Sequence, residues 1–202
     1  MGAALKLQTL DTEQAAGAVL HPLRRRLLEA LAQPDSASGL ARKLGLARQQ
    51  VNYHLRELES AGLVDEQEKR VKGNCIERIV RARARYFIIA PSALGGLGPR
   101  PEEMQDRYSS AYLVASAARA IDDLAWLRRK ADDAGKSLAT LTLESEVRFA
   151  GPAARKAFAE ELAAEFARLA AKYHDAAARG GRAFRMMAAC WPNVPPNARE
   201  KP

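Results

Sequence analysis

A glycine between two helical patterns constrains the fold of this chain more than any other feature. Residues 36–44 predict a helix with a serine cap, and Gly45 ends that helix because glycine takes the left-handed conformation without strain. Residues 47–60 predict a second helix, whose buried stripe consists of Leu46, Val51, Leu55 and Leu58. Two helices joined by so tight a turn hold a fixed angle to one another, which predicts a helix-turn-helix.

The segments around this pair complete a recognisable order of elements. His21-Pro22 starts an earlier helix with proline in its tolerated first turn, and leucines at helical spacing follow it. After Gly62 the chain predicts a β-hairpin that turns at Gly73-Asn74, and Tyr86-Phe87-Ile88-Ile89 predicts a further strand. Residues 20–90 therefore read as helix, helix, turn, helix and hairpin.

Positive charge is concentrated in the predicted hairpin. The chain carries 32 Lys and Arg against 24 Asp and Glu, a formal charge of +8. Residues 69–85 contain seven cations (Lys69, Arg70, Lys72, Arg78, Arg81, Arg83 and Arg85) and one anion, Glu77. Such a cluster is typical of a phosphate-binding face, and charge alone leaves a solvated strand as an equal alternative, so the flanking segments decide between them. The outward face of the second helix of the pair adds base-reading side chains, because arginine can pair with guanine, and asparagine or glutamine with adenine.

Three strings of residues resemble the winged helix-turn-helix of ArsR-type bacterial transcriptional regulators. They are Leu20-His21-Pro22-Leu23-Arg24-Arg25-Arg26-Leu27-Leu28, Val51-Asn52-Tyr53-His54-Leu55 and Leu58-Glu59-Ser60-Ala61-Gly62-Leu63-Val64, followed by the basic hairpin. The resemblance covers residues 11–90 and implies that residues 47–56 read the major groove while residues 70–78 form the wing. The expected DNA-binding residues are Arg48, Gln49, Gln50, Asn52, Tyr53, His54, Arg56, Arg70, Lys72, Asn74 and Arg78. For His54, bracing the helix is an equal alternative to contact with phosphate.

The chain departs from the metal-sensing members of that group. The helix at residues 36–44 has no cysteine, and the aspartate next to His174 points to a different helix face. We therefore expect no metal and no other cofactor. Cys75 and Cys190 are too few for a disulfide framework, and each is expected to be a buried thiol. No catalytic triad, paired acids, phosphate loop or dinucleotide fingerprint is present, so we expect no enzyme activity.

Residues 93–101 form a linker rich in glycine and proline, and a long helix is expected over residues 102–134. Its alanines at spacings of four and three predict close approach of a second helix, which makes it the expected dimerisation helix. The expected interface residues are Tyr108, Ala111, Tyr112, Ala115, Ala118 and Ile121.

Residues 138–191 predict a strand-helix-strand unit for dimerisation or effector binding. Residues 140–149 alternate with period two, a helix starts at Pro152, and residues 183–191 predict a second strand. We expect either a filled core or an effector pocket lined by Leu141, Leu143, Phe158, Phe166 and Met186. Residues 192–202 are expected to be a flexible tail.

Taken together, the sequence predicts a mainly α fold with small β content. It comprises a winged helix-turn-helix domain at residues 11–92, the long helix, and a small C-terminal α/β unit. The expected function is sequence-specific regulation of transcription by a cytoplasmic homodimer bound to double-stranded DNA, as a repressor. No membrane segment or signal peptide is expected. The alternative is a ligand-binding or protein-binding module that uses the winged helix as an interaction surface.

Overall fold

The computed structural model describes residues 5–72 and 75–194, with side chains from 6 to 71 and from 76 to 194. These residues divide into two compact units, and the boundary between them in the sequence lies between Leu138 and Ala139. The predicted hairpin turn at Gly73-Asn74 lies outside the described residues. Among the described helices, none combines the length and apolar character that a membrane crossing requires.

Four α-helices precede the wing in the first unit: α1 (Glu13–Leu20), α2 (Pro22–Ala30), α3 (Ala37–Leu44) and α4 (Arg48–Ser60). Each of the first three begins at a side-chain cap. Thr12 accepts a hydrogen bond from the Ala15 amide, His21 from Leu23, and Ser36 from Gly39. These caps explain why the chain restarts a helix at short intervals instead of continuing one long helix.

The strands form two small sheets. In the three-stranded sheet β2 (Asp35–Ser36) and β3 (Val64–Lys72) flank β4 (Cys75–Ala82), and both pairings are antiparallel. The hairpin of β3 and β4 is the predicted wing, with Val71 opposite Ile76 near its tip. The predicted strand around Tyr86 is β5 (Ala84–Ile89).

The second sheet contains a strand that the sequence did not predict. Residues 5–10 have no clear hydrophobic period, yet they form β1 (Leu5–Leu10), which pairs in parallel with β5. Leu10 is buried, and its carbonyl accepts a hydrogen bond from the Ala90 amide. The partner strand supplies this structure, so the local pattern alone could not reveal it.

The core of the first unit lies between the helices and the base of the wing. Seven large side chains are almost completely buried: Leu10, Leu27, Leu31, Leu40, Val51, Leu58 and Leu63. The predicted buried stripes of α2 and α4 are therefore confirmed at their central residues. Complete burial of such side chains contributes about 1.5–3 kcal/mol each, which fixes α4 against the rest of the unit.

The long helix of the first unit is shorter than predicted. It runs as α5 (Ser110–Asp133), and two short 3-10 segments, Pro91–Leu97 and Pro101–Glu103, precede it. The expected start at residue 102 is wrong because Ser109 caps the helix by accepting a hydrogen bond from the Tyr112 amide. Asp122 of α5 accepts a hydrogen bond from the Ser92 amide, which ties the linker to this helix.

The second unit contains one helix, α6 (Pro152–Tyr173), which begins at the predicted Pro152. The structure assigns no strand to residues 140–149 or 183–191, and the expected strands are wrong in this respect. A strand needs a bonded neighbour, and no backbone hydrogen bond among the described residues joins these two segments. None of the described residues of this unit is buried.

Candidate nucleic-acid interface

The turn between α3 and α4 fixes the angle at which α4 projects from the domain. Gly45 has φ +67° in the left-handed region, and the Leu46 amide donates to the Ala41 carbonyl at 2.9 Å. This hydrogen bond closes the end of α3 as the glycine predicted. Val51, Leu55 and Leu58 bury the inner side of α4, so its outer side is presented on a rigid support.

The outer side of α4 carries the side chains that the sequence singled out. Arg48, Gln49, Gln50, Tyr53 and Arg56 are exposed, and Asn52 is half-buried beside them. Arg48 and Arg56 form no ion pair with an acidic side chain in the part of the chain that the structure describes. Their guanidinium donors are therefore available to an external partner.

The start of α4 differs from the starts of α1, α2 and α3. Its N-cap residue is Ala47, which provides no side-chain hydrogen bond, and no acidic residue lies in its first turn. The first amides of the helix consequently have no side-chain acceptor, and the helix dipole makes this end favourable for a negative group. Arg48 and Gln49 lie at this same end.

His54 occupies a different position from the other expected DNA-binding residues. It is buried, and its ring lies 4.9 Å from the ring of His21 between centroids. Desolvation lowers the pKa of His54, and the nearby His21 and Arg24 lower it further, while Glu57 acts in the opposite direction. The expected contact of His54 with DNA is not supported by this position, because the side chain braces α4 against the start of α2.

The wing contains more internal ion pairs than its sequence suggested. Arg78 pairs with both Glu59 at the end of α4 and Glu66 of β3, where its Nε lies 2.5 Å from Oε2. These acids raise the pKa of Arg78, so that residue is committed within the domain. Arg70 is exposed and pairs with Glu68 at 2.7 Å. The charge count over residues 69–85 omitted Glu59, Asp65, Glu66 and Glu68 because they precede it in sequence.

The two other expected wing residues have no described side-chain position. The side chain of Lys72 and all of Asn74 lie outside the described residues. Next to them the structure exposes two apolar side chains, Val71 at 75% and Ile76 at 66%. The sequence carried a usable signal for these exposed side chains, because an apolar residue lies close to each side of the polar Gly73-Asn74 turn.

One further cation on the helix pair was missed. Arg42 is exposed in the last turn of α3, beside Lys43, whose Nζ lies 2.7 Å from Oδ2 of Asp35. The signal was available, because basic residues in the last turn of a helix also suit its dipole. Among the described residues no group of three or more His, Cys, Asp and Glu side chains is placed to hold a metal ion.

The expected dimer residues do not share one surface. Ala115 and Ala118 are buried within their own chain, Ile121 and Tyr112 are half-buried, and Tyr108 is fully exposed. Helical periodicity had placed these residues on one stripe, but Arg119 contacts Glu102 and Asp122 contacts residue 92 on that side of α5. Residues on either side of the linker therefore contact part of the predicted face.

The expected pocket residues are also not enclosed. Leu141 is 83% exposed, Leu143 is 85% exposed and Met186 is 56% exposed. Phe158 lies 5.2 Å from Phe149 between ring centroids, and Phe166 is half-buried. The second unit by itself therefore does not form the expected crevice, because its extended segments do not close over α6.

Comparison with known proteins bears on the helix pair directly. Residues 19–67 match the family model described as a helix-turn-helix domain. This segment is a helix-turn-helix domain. Together with the β3–β4 hairpin it forms the winged helix-turn-helix that the sequence predicted, and that prediction is confirmed. No curated protein matches the chain.

Two solved structures are similar to parts of the chain. One is the solution structure of the homodimeric winged helix-turn-helix DNA-binding domain of a possible ArsR-family transcriptional regulator from Mycobacterium bovis. It is 17% identical, with a TM-score of 0.30, over 55% of this chain and 77% of that chain. The other is an ArsR-like transcriptional regulator from Rhodococcus sp. RHA1, 25% identical with a TM-score of 0.29, over 60% of this chain and 85% of that one.

Proposed function

We propose that this protein is a sequence-specific, DNA-binding transcriptional regulator of the ArsR type that acts as a homodimer. The outer side of α4 carries the proposal: it combines two arginines that have no ion pair among the described residues with amide side chains that match adenine edges. A B-DNA major groove about 12 Å wide admits one such helix. Repression is the simpler mode of action, since a bound dimer blocks access to DNA without contacting polymerase.

Within this proposal, Arg48 reads a base at the leading end of α4. An arginine paired with guanine is worth about 1–3 kcal/mol of discrimination. Duplexes selected from a random pool provide the specific sequence, and Arg48→Ala is then compared on that sequence and on unrelated DNA. We expect a loss of about 1–3 kcal/mol on the selected duplex and much less on unrelated DNA.

A matched control separates this contact from general charge loss. Arg155→Ala removes an exposed arginine from the first turn of α6 and should leave binding to the selected duplex unchanged. Equal losses for Arg48→Ala on both kinds of DNA would reject base reading. Failure of the natural chain to bind any duplex in a salt-dependent way would reject the function and favour a protein-binding or ligand-binding module.

The wing contributes through Arg70, which has a weak exposed ion pair, rather than through Arg78, which pairs with two acids. Each phosphate contact removed reduces the slope of log affinity against log salt by about 0.9. We expect Arg70→Ala to reduce the slope by about this amount, since the Arg70–Glu68 pair is exposed and weak. Arg78→Ala should leave the slope nearly unchanged because Glu59 and Glu66 already neutralise that residue. A larger reduction of the slope for Arg78→Ala than for Arg70→Ala would show that the ion pairs of Arg78 with Glu59 and Glu66 open when DNA binds.

The proposed homodimer uses a face of α5 next to the one first expected. An apolar stripe repeats at spacings of four and three along the helix, and none of its members is buried: Leu113, Ala117, Ala120, Leu124, Leu127 and Ala131. Such a repeat is the pattern of a two-helix seam.

Two substitutions distinguish the two faces of α5. Leu124→Glu places a charge on the apolar stripe, at a side chain that is 41% exposed, and should convert the dimer to a monomer in sedimentation. Ala111→Glu places the same charge on the face first expected, at an exposed alanine, and should leave the dimer intact. If Ala111→Glu gave a monomer and Leu124→Glu remained a dimer, the interface would lie on the face of α5 that the sequence first predicted. Ala115 is unsuitable for this test because it is completely buried within the chain.

A further inference from the structure

The wing leaves the core of the first unit at a defined point along the hairpin. Val64, Ile79 and Val80 are buried, whereas Val71 and Ile76, which lie nearer the tip, are each more than three-fifths exposed. Core packing therefore holds the base of the hairpin, while the described outer part has no such support. The direction in which the outer part projects needs another determinant.

A β-bulge lies at this same point. Glu66 is paired with Val80 and Glu68 with Ile79, so Gln67 is an extra residue on β3 in this register. A bulge bends the strand that contains it and increases its local twist. The hairpin therefore changes direction where it leaves the core. Since an isolated pair of strands is marginally stable, the bend requires a further contact to keep one direction.

Arg78 makes that contact. It follows the buried Ile79 toward the tip of the hairpin, and its Nε lies 2.5 Å from Oε2 of Glu66, immediately before the bulge. Its Nη2 pairs with Oε1 of Glu59 in the last turn of α4, where the glutamate side chain is 23% exposed. Among the described residues, no other side-chain hydrogen bond or ion pair joins α4 to β3 or β4. We call these three residues the Arg78 bridge.

The Arg78 bridge differs from an ordinary surface ion pair. A single exposed pair contributes little because water and salt screen it, and a network of several charges is the exception. The guanidinium group is planar and presents its donors in a fixed fork, so the two carboxylates must keep a set relation to each other. The bridge therefore favours one angle between the end of α4 and the bend of β3.

We propose that Arg78 is a positioning residue for DNA recognition, which fixes the direction of the wing relative to α4 through Glu59 and Glu66. The inference rests on the proposed function, in which α4 and the wing contact one duplex together. A wing that is already held in its bound direction loses less conformational freedom on binding, and this preorganisation increases affinity. Arg78 thus serves DNA binding through the geometry of the domain and not through contact with a phosphate.

Residual dipolar couplings of the DNA-free full chain test the direction of the wing by itself. Glu59→Ala removes the α4 end of the bridge, and it does not disfavour the helix, because an acidic residue is unfavourable near a helix C-terminus. We expect the couplings of residues 68–71 and 76–77, referenced to those of α4, to decrease as motion averages them. Asp65→Ala is the matched control, because the ion pair of that acid, with Arg83 at 3.2 Å, does not involve α4. Unchanged couplings in Glu59→Ala would overturn the proposal.

Affinity for the selected duplex gives a test in which simple electrostatics predicts the opposite sign. Removal of Glu59 takes a negative charge away from the interface and leaves Arg78 with Glu66 alone, so charge by itself predicts tighter binding. Loss of the wing direction predicts weaker binding, and we expect Glu59→Ala to weaken it by about two- to fivefold at an unchanged salt slope. Asp65→Ala removes the same charge and should not weaken binding. Equal or tighter binding by Glu59→Ala than by the natural chain would overturn the proposal.

A double-mutant cycle checks that Glu59 and Arg78 act together. Arg78→Ala should weaken binding in the natural chain and should weaken it less in the Glu59→Ala background, because part of the bridge is already lost there. Independent effects of the two substitutions would overturn the proposal. If the natural chain binds no duplex, the proposed function fails, and the dipolar couplings of the DNA-free chain still decide whether Arg78 sets the direction of the wing.

Discussion

The two units of this chain use similar residues with opposite results. Residues 5–138 bury leucines from α2, α3, α4 and β1 around one core, and seven large side chains are almost inaccessible. Residues 139–194 also have an amphipathic helix and two alternating segments, yet none of their side chains is buried. An amphipathic pattern thus predicts that a face will be buried, and it does not identify the surface that will bury it.

The difference lies in the number of layers that each unit can supply. In the first unit, α4 packs between α2, α3 and β3, so each of its inner side chains meets another element. In the second unit, α6 has two extended segments as its available neighbours, and these are not bonded to each other. A domain requires at least two packed layers around one core. The second unit supplies α6 without a bonded sheet, so the apolar face of that helix stays open.

The largest expected effect tests whether only the first unit closes its own core. Leu58→Ala removes a fully buried side chain and should lower the unfolding free energy of residues 20–64 by about 2–5 kcal/mol. Amide hydrogen exchange of those residues measures this value separately from the second unit. In dilute monomeric protein, Leu169→Ala in α6 should cost below about 1 kcal/mol. A comparable loss of unfolding free energy for Leu58→Ala and Leu169→Ala would contradict the difference between the two units.

An intermediate effect is expected at two glycines that share a backbone conformation. Gly45 and Gly180 have φ of +67° and +79°, and a Cβ at either position would meet nothing within 4 Å. Gly45→Ala should destabilise the first unit by about 1–2 kcal/mol through backbone strain, since α3 and α4 are fixed on both sides. Gly180→Ala should leave thermal unfolding of the first unit unchanged. Equal shifts in the melting temperature of that unit would show that the units are coupled.

The smallest expected effect is a pH dependence confined to the first unit. Because the pKa of His54 is lowered from 6.5 in the folded state, the unfolded chain binds more protons as the pH falls through that range. Stability should therefore decrease as the pH falls below about 6.5 and become level below the folded pKa. His54→Gln should remove this decrease, and His174→Gln in the second unit should retain it. Denaturant unfolding of each variant from pH 7.5 to 5 measures the difference.

The features of the fold that could be predicted from the sequence are those that depend on residues close to one another in the chain. Gly45, the serine cap of α3 and the spacing of Val51, Leu55 and Leu58 each act within one or two helical turns, and they position the candidate interface. The wing followed from a polar turn between two short strands.

The remaining features depend on residues that are distant in sequence. Arg78 seemed available for phosphate until the fold placed Glu59 and Glu66 beside it. β1 had no pattern of its own and formed because β5 offered an edge. The expected face of α5 was identified from periodicity alone, which could not show that Ala115 and Ala118 are buried within their own chain or that Asp122 accepts a hydrogen bond from the Ser92 amide.

The contacts of β1 carry a mechanical consequence. Nη2 of Arg128 in α5 donates to the Leu7 carbonyl at 3.0 Å, and Arg129 pairs with Asp11 just beyond the same strand. Since β1 is also bonded along β5, which follows directly from the wing, one short strand links the two ends of the domain. A tilt of α5 must either break these two contacts or carry β1 and β5 with it. In the proposed homodimer, the angle of α5 would therefore determine both the orientation of each wing and the separation of the two DNA half-sites.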